Sequence, residues 1–321
     1  FIPVLIAFRD LNKITKIDKI MRKKGFYLTP QKGYSRVTKM SQIFVDMSKS
    51  IIKHNQNMLN LKHSYEPFVP SEIIRIFDKK DIMELEVGQK KDMDAVILII
   101  KAENFLRVVG ENEESEVFEY ANEIFNIIID ELGEGLLINF NQLDSQILFE
   151  SNINNALKIA SKILAKIEKH PKTFNGKKVE FSYVATMTEA NLGIIGSNKR
   201  SELLININEN NLINELSKLA NNFKTGVLFC NSRIKNRKNT RLIAQSADGR
   251  YIFEDYSGKS SEIVKLNNLT KEVFEQSVID FIKGDKQKAN AGFISVIRKN
   301  NNDLMAYHYF EKCNEEILIG S

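Results

Sequence analysis

The chain has no tryptophan, only two cysteines and four histidines, and five prolines in 321 residues. Cys230 and Cys313 lie far apart without metal-ligand spacing, and the scattered histidines complete no site, so neither a disulfide framework nor a zinc centre is indicated. This usage fits a reducing, cytoplasmic environment. Charge of one sign is also scarce. A net charge of +5 is weak for this length, and the one basic cluster (Arg9, Lys13, Lys16, Lys19, Arg22, Lys23, Lys24) does not make the whole chain a nucleic-acid binder. Long apolar runs are missing. The opening stretch, residues 1–8, is apolar, but crossing a bilayer takes about 20 residues. With 43% hydrophobic and 27% charged residues, the chain is neither disordered nor fibrous, and it can bury an α/β core plus one or two smaller modules.

Basic residues follow residues 1–8 at once, as on the cytoplasmic side of a membrane span. The expectation is the tail of a transmembrane helix, which would make the rest a cytoplasmic domain of an inner-membrane protein. A short buried strand or helix start is the plain alternative. Leu11, Ile14, Ile17, Ile20 and Met21 recur at helical spacing, ahead of a turn at residues 29–33. Met40, Phe44, Met47, Ile51, His54, Met58 and Leu61 then step by fours and threes, the seam of a parallel coiled coil. Helix, connector and heptad helix after a membrane-like segment resemble a HAMP linker, which relays signals from membrane to cytoplasm in a dimer. His54 on this seam is either a pH-sensitive register element or a tolerated polar core position.

The prolines at 67 and 70 break the helix and mark a boundary. Beyond it, periodicity predicts a buried strand at 95–100, a helix at 117–132, a hairpin from 136–140 and 146–149, and a helix at 153–169. A strand pair is predicted at 179–187 and 191–196. The order is that of a ferredoxin-like α/β sandwich. Near the C-terminus, Phe274, Phe281, Ala289, Phe293, Ala306 and Tyr309 bracket the turn Lys283-Gly284-Asp285. This helix pair resembles one tetratricopeptide unit. A cap on the preceding domain and a peptide-binding role both remain open. The implied division is 1–66, a membrane-proximal linker and coiled coil; 67–266, the sandwich; and 267–321, the helical tail.

Residues 184–216 carry the most specific pattern. An apolar strand with Gly193 leads to a Gly196-Ser197-Asn198-Lys199-Arg200 turn, a further strand, and a helix that opens with Asn211. With residues 68–72 and 86–88 as a lead-in, this resembles the homology domain of the class III adenylate and guanylate cyclases over about residues 68–266. The resemblance implies a nucleotide site built from two metal-binding carboxylates, a base-reading Lys and Asp, a ribose-orienting Asn, and an Arg and Lys on the phosphates. Lys101 stands at the first carboxylate position and Leu143 at the second. A lysine ammonium donates hydrogen bonds and cannot ligate a cation. Asn139 replaces the base-reading Lys, and Glu202 stands where the base-reading Asp sits. Asn211 matches the ribose Asn, and Glu215 replaces the Arg. In Ser257-Gly258-Lys259, Ser257 replaces the first Lys of the family's motif and only Lys259 survives. Asp144 follows Leu143, and a shift of one along a strand turns a side chain away unless the hairpin bulges.

The leading expectation is a catalytically inactive cyclase-homology module that dimerises and relays or regulates a signal below a membrane-attached sensor. No cofactor or metal is expected. Its partners would be a second copy, an active cyclase or another signalling protein, and not a nucleic acid. A divergent active cyclase using Mg or Mn, with ligands drawn from Glu103, Asp144 and Glu189, is one alternative. A nucleotide sensor without turnover is another.

Overall fold

The computed structural model describes residues 36–65, 70–110, 112–150, 153–197, 200–207, 210–223, 225–230, 238–246 and 249–319. The segments expected to hold the membrane-like stretch and the first linker helix lie outside them. The chain divides into two compact units, Phe1–Ser71 and Glu72–Ser321.

In the first unit, α1 (Arg36–Tyr65) is a single helix of 30 residues that covers the predicted heptad region. Its apolar stripe is open to solvent: Met47, Ile51, Met58 and Leu61 are all exposed.

The second unit takes in all but the first residue of the short helix α2 (Ser71–Ile76) and centres on an eight-stranded sheet. Strand β1 (Lys90–Ala102) holds the apolar run at 95–100. That run is continuous because both faces of the strand are covered. Val96, Leu98 and Ile100 pack into the larger core, while Ala95 and Ile97 pack into a second core on the other side. After β1 come α3 (Phe105–Val109) and α4 (Glu114–Glu131), whose Tyr120, Ile124 and Ile128 recur every four residues and are buried. The hairpin β2 (Leu136–Asn141) and β3 (Asp144–Glu150) follows, and then α5 (Ile153–Glu168). Helix α5 buries Ala156, Leu157, Ile159, Ala160, Ile163 and Ile167 along one stripe.

Strand β4 (Phe181–Ser197) corrects the expected strand pair, because it runs unbroken for 17 residues. The polar segment 188–191 reads like a turn but contains neither Gly nor Pro, and β1 holds its backbone along its length from Phe181 to Gly193. The other edge of β4 is shared. Its first part pairs in parallel with β6 (Gly226–Cys230) and its second part with β5 (Arg200–Ile207). The turn into β5 falls where the sequence places it. Gly196 has φ +140°, and a Cβ there would lie 2.2 Å from the Arg200 carbonyl oxygen, so only glycine fits. Helix α6 (Asn210–Phe223) crosses over to β6.

Two further strands, β7 (Thr240–Gln245) and β8 (Tyr251–Asp255), complete the order β2-β3-β1-β4-β6-β8-β7, with β5 alongside β4. Three helices end the chain: α7 (Ser261–Ile282), α8 (Lys286–Lys299) and α9 (Leu304–Ile319). The expected pair is thus joined by a third helix, and α7 runs continuously through position 266. The aromatic residues of the predicted pattern form its interior. Phe274 meets Phe293 edge to face, and Phe293 stacks on Tyr309 with centroids 5.1 Å apart.

Candidate functional site

The end of β1 and the tip of the β2–β3 hairpin form the walls of a cleft of about 530 Å³, lined among others by Glu103, Arg107, Gln142, Asp144, Glu180 and Asn221. Pairing decides which side chains share the sheet face beside it. Ile100 pairs with Ser145 across β1 and β3, so Asp144 is the next residue across from Lys101, and Lys101 pairs with Ser182 across β1 and β4. Lys101, Asp144 and Ser182 therefore share one face, and Glu103, two residues beyond Lys101, follows the same alternation.

The hairpin turn has only two residues, Gln142 (φ 51°) and Leu143 (φ 68°), a left-handed pair of the kind that matches strand twist. Leu143 is buried in the larger core at 1% exposure. Its burial offsets the steric cost of a left-handed leucine, about 1–2 kcal/mol. The position aligned to the second metal ligand is thus a core residue facing away from the cleft. Asp144 faces the cleft instead, and its Oδ1 accepts from the Ala102 N–H at 2.9 Å. The pairing of β2 with β3 is irregular between Leu137 and Asn139, but the face of Asp144 is set by the unbroken register of β3 with β1.

The loop after β1 is tied down by groups that the sequence did not single out. Asn104 donates from Nδ2 to the Lys178 carbonyl at 3.1 Å and accepts the Glu180 N–H at 2.7 Å. The Glu103 N–H donates to the Glu180 carbonyl at 2.9 Å, and the Glu103 carboxylate accepts a short hydrogen bond from the Ser182 hydroxyl. Partial burial pushes the Glu103 carboxyl above its usual range against the pull of Ser182 and Lys101. Burial likewise raises Asp144, opposed by the Ala102 N–H and Lys101.

This donor set does not fit a pair of divalent ions. Each of the two carboxylates has an oxygen engaged, and Lys101 puts positive charge beside both. Among the described residues, no group of three or more His, Cys, Asp and Glu side chains could hold a metal ion. Glu189 does not join them, since it pairs with Asp94 seven residues along β4 from Ser182, a separation of about 23 Å at strand rise.

The remaining sequence candidates are dispersed. Asn139 is exposed on β2, opposite Gln146. Glu202 is exposed near the tip of the β4–β5 hairpin, in an ion pair with Arg200. Asn211 lies in the first turn of α6, its side chain outside the described residues, and Glu215 is exposed on the same helix. Ser257 is exposed, and its N–H donates to Asp255 Oδ1 at 2.8 Å. Lys259 is drawn inward, donating to Glu254 Oε1 at 3.2 Å and to the Phe223 carbonyl at 3.3 Å. A second cavity of about 360 Å³ lies by Tyr183 and Gly226. Lys259 and Thr225, which line it, are bonded to protein acceptors.

No family model matches the chain, and no curated protein matches it. Solved structures do. A bacterial light-regulated adenylyl cyclase is 13% identical, with 68% of each chain covered and a TM-score of 0.52. A second structure of such a cyclase has the same score and identity, covering 68% of this chain and 69% of that one. The adenylyl cyclase CyaB from P. aeruginosa is 14% identical over 52% of this chain and 95% of that one, with a TM-score of 0.44. Together with the strand order around β1 and β4, the likeness to the light-regulated enzyme establishes that the chain has the fold of the adenylyl cyclase domain.

Proposed function

We propose that this chain is a catalytically inactive cyclase-homology module that dimerises and relays or regulates a signal received at a membrane. The observation that carries this reading is the pair Lys101 and Leu143. A cation stands on β1 where a metal ligand would be needed, and the hairpin leucine is committed to the core. Glu215 points the same way, because a carboxylate in place of an arginine repels a triphosphate. Dimerisation through α1 is supported by its exposed apolar stripe at heptad spacing, which a second copy would cover in a HAMP-like or coiled-coil arrangement. No described helix is long and apolar enough to cross a membrane, and the attachment proposed is through an upstream segment whose tail is residues 1–8.

A divergent active cyclase is the second reading, favoured by one observation: Glu103 and Asp144 line the same cleft. It would need Mg or Mn held by these two carboxylates, although each has an oxygen engaged and Lys101 puts positive charge beside both.

The test is a calorimetric titration of the full chain with non-hydrolysable ATP and GTP analogues in magnesium and then manganese, followed by a cyclase assay on the same sample. No heat and no cyclic nucleotide are expected. Metal-dependent binding with product would overturn the inactive reading in favour of the second. Binding without product would make the chain a nucleotide sensor.

A further inference from the structure

The donor set of the cleft disagrees with the two-ion chemistry that cyclisation of a nucleoside triphosphate requires, and the residue at the centre of that disagreement is Lys101. We propose that Lys101 is a tethered cation that stands in for divalent metal, compensating Glu103 and Asp144 from within the chain and keeping the cleft closed to divalent ions. The proposal rests on reading this cleft as the vestige of a metal-dependent site.

Three features carry it. First, the registers on both sides of β1 put Lys101 across from Asp144 on one neighbour and from Ser182 on the other, so it is the middle residue of a polar row that Glu103 continues. Second, the face of β1 that precedes it is apolar, with Ile97 fully buried and Ile99 packed against the same core, so Lys101 is the first charge to follow on that face, and its positive charge acts on both Glu103 and Asp144. Third, Glu103 and Asp144 accept from Ser182 and from the Ala102 N–H, which holds them in place without an exogenous ion. A covalently held ammonium costs no binding entropy and cannot diffuse away. A divalent ion entering the same cleft would meet its repulsion in a partly desolvated setting, where charge interactions exceed those in water. The functional consequence is a cleft whose geometry does not wait on metal or nucleotide, so the contacts made by this module need no ligand in the cleft.

The experiment is a Mn²⁺ titration of the full chain, with bound ion read by the loss of the free-ion electron paramagnetic resonance signal. The unaltered chain is expected to retain no Mn²⁺ that depends on Asp144. Lys101→Asp is expected to bind Mn²⁺ at least about tenfold more tightly, and to lose that gain when Asp144→Asn is added. Lys101→Arg, which keeps the charge, is expected to behave like the unaltered chain. The proposal is overturned if the unaltered chain binds Mn²⁺ as tightly as Lys101→Asp in an Asp144-dependent way. It is also overturned if folded Lys101→Asp, checked by circular dichroism, gains nothing. Should Lys101→Asp not fold, Lys101→Gln replaces it, and equal binding by Lys101→Gln and the unaltered chain overturns the proposal. Cyclic nucleotide formation by the unaltered chain would refute the inactive reading separately, whatever the Mn²⁺ result.

Discussion

Arg241 on β7 and Asp303, just before α9, form a bidentate ion pair inside the protein, with Nη2–Oδ1 at 2.8 Å and Nη1–Oδ2 at 2.5 Å. Arg241 also donates from Nε to Glu254 Oε2 at 2.7 Å and lies over the Phe274 ring, 3.8 Å from its centroid. Burial would lower the Arg241 pKa, but Glu254 and Asp303 outweigh it and drive the pKa upward; burial would raise that of Glu254, but Arg241 and Lys259 hold it below its usual range. Arg241 and Glu254 are therefore held in their charged forms, and the network joins the C-terminal helices to the sheet.

Removing one partner leaves an uncompensated buried charge. Asp303→Ala and Arg241→Ala should each lower unfolding free energy by about 3–5 kcal/mol. Arg241→Met combined with Asp303→Leu and Glu254→Gln should recover part of that loss, since apolar replacement of a whole buried network is often tolerated. Urea denaturation checks this, and single variants that stay within about 1 kcal/mol of the unaltered chain would mean the network is solvated.

The same helices cover the free edge of β7. Glu275 accepts the Leu242 N–H at 2.8 Å, and the Tyr309 hydroxyl donates a short hydrogen bond to the Ile243 carbonyl. An uncovered edge strand is a template for intermolecular pairing. A chain ending at residue 260 should form larger assemblies, detectable by light scattering, whereas Tyr309→Phe should remain well behaved and lose about 1 kcal/mol. A truncated chain that keeps the assembly state of the full one would show the edge to be protected by other means.

The cleft carboxylates make a contribution of the opposite sign to that of Glu254. Their pKa values are raised in the folded state, so ionising them costs stability at neutral pH, and that cost disappears as pH falls through the raised values toward the ordinary 4.5 for Glu103 and 3.8 for Asp144. Glu103→Gln should therefore be slightly more stable than the unaltered chain at pH 7. The gain should be a few tenths of a kcal/mol, since the groups are half-exposed and solvent screens them. The advantage should vanish below the ordinary values. Denaturation midpoints from pH 3 to pH 8 decide it, and a pH-independent difference would contradict the assignment.

Gly226 is required by close approach. A Cβ there would lie 2.3 Å from the Tyr183 ring. Gly226→Ala should destabilise by about 1–3 kcal/mol through overpacking. Tyr183→Leu in the same background should remove much of the additional cost, giving a favourable coupling in a double-mutant cycle. Strictly additive effects would place the strain elsewhere.

Legibility in the sequence followed how local the cause was. Residues 95–100 read as a buried strand because both faces of β1 are apolar, and Gly196 marks its turn because no other residue tolerates that backbone there. The helices α4, α5 and α1 were visible through their periodicity. Strands β7 and β8 were not, being short strands of 6 and 5 residues that carry the buried charges Arg241, Glu254 and Asp255, which interrupt any apolar pattern. The unbroken course of β4 was hidden because pairing with β1, rather than composition, holds its polar middle extended.

The type and order of β1, α4, the β2–β3 hairpin and α5, the Gly196 turn, and the presence of lysine and leucine at the two aligned metal-ligand positions were determined by the sequence alone, because each depends on one residue or on a repeating local period. Which carboxylates share the cleft was decided only by tertiary structure. A two-residue turn and the pairing of β3 with β1 send Leu143 into the core and Asp144 toward Lys101, and strand register is a long-range property that no single segment encodes.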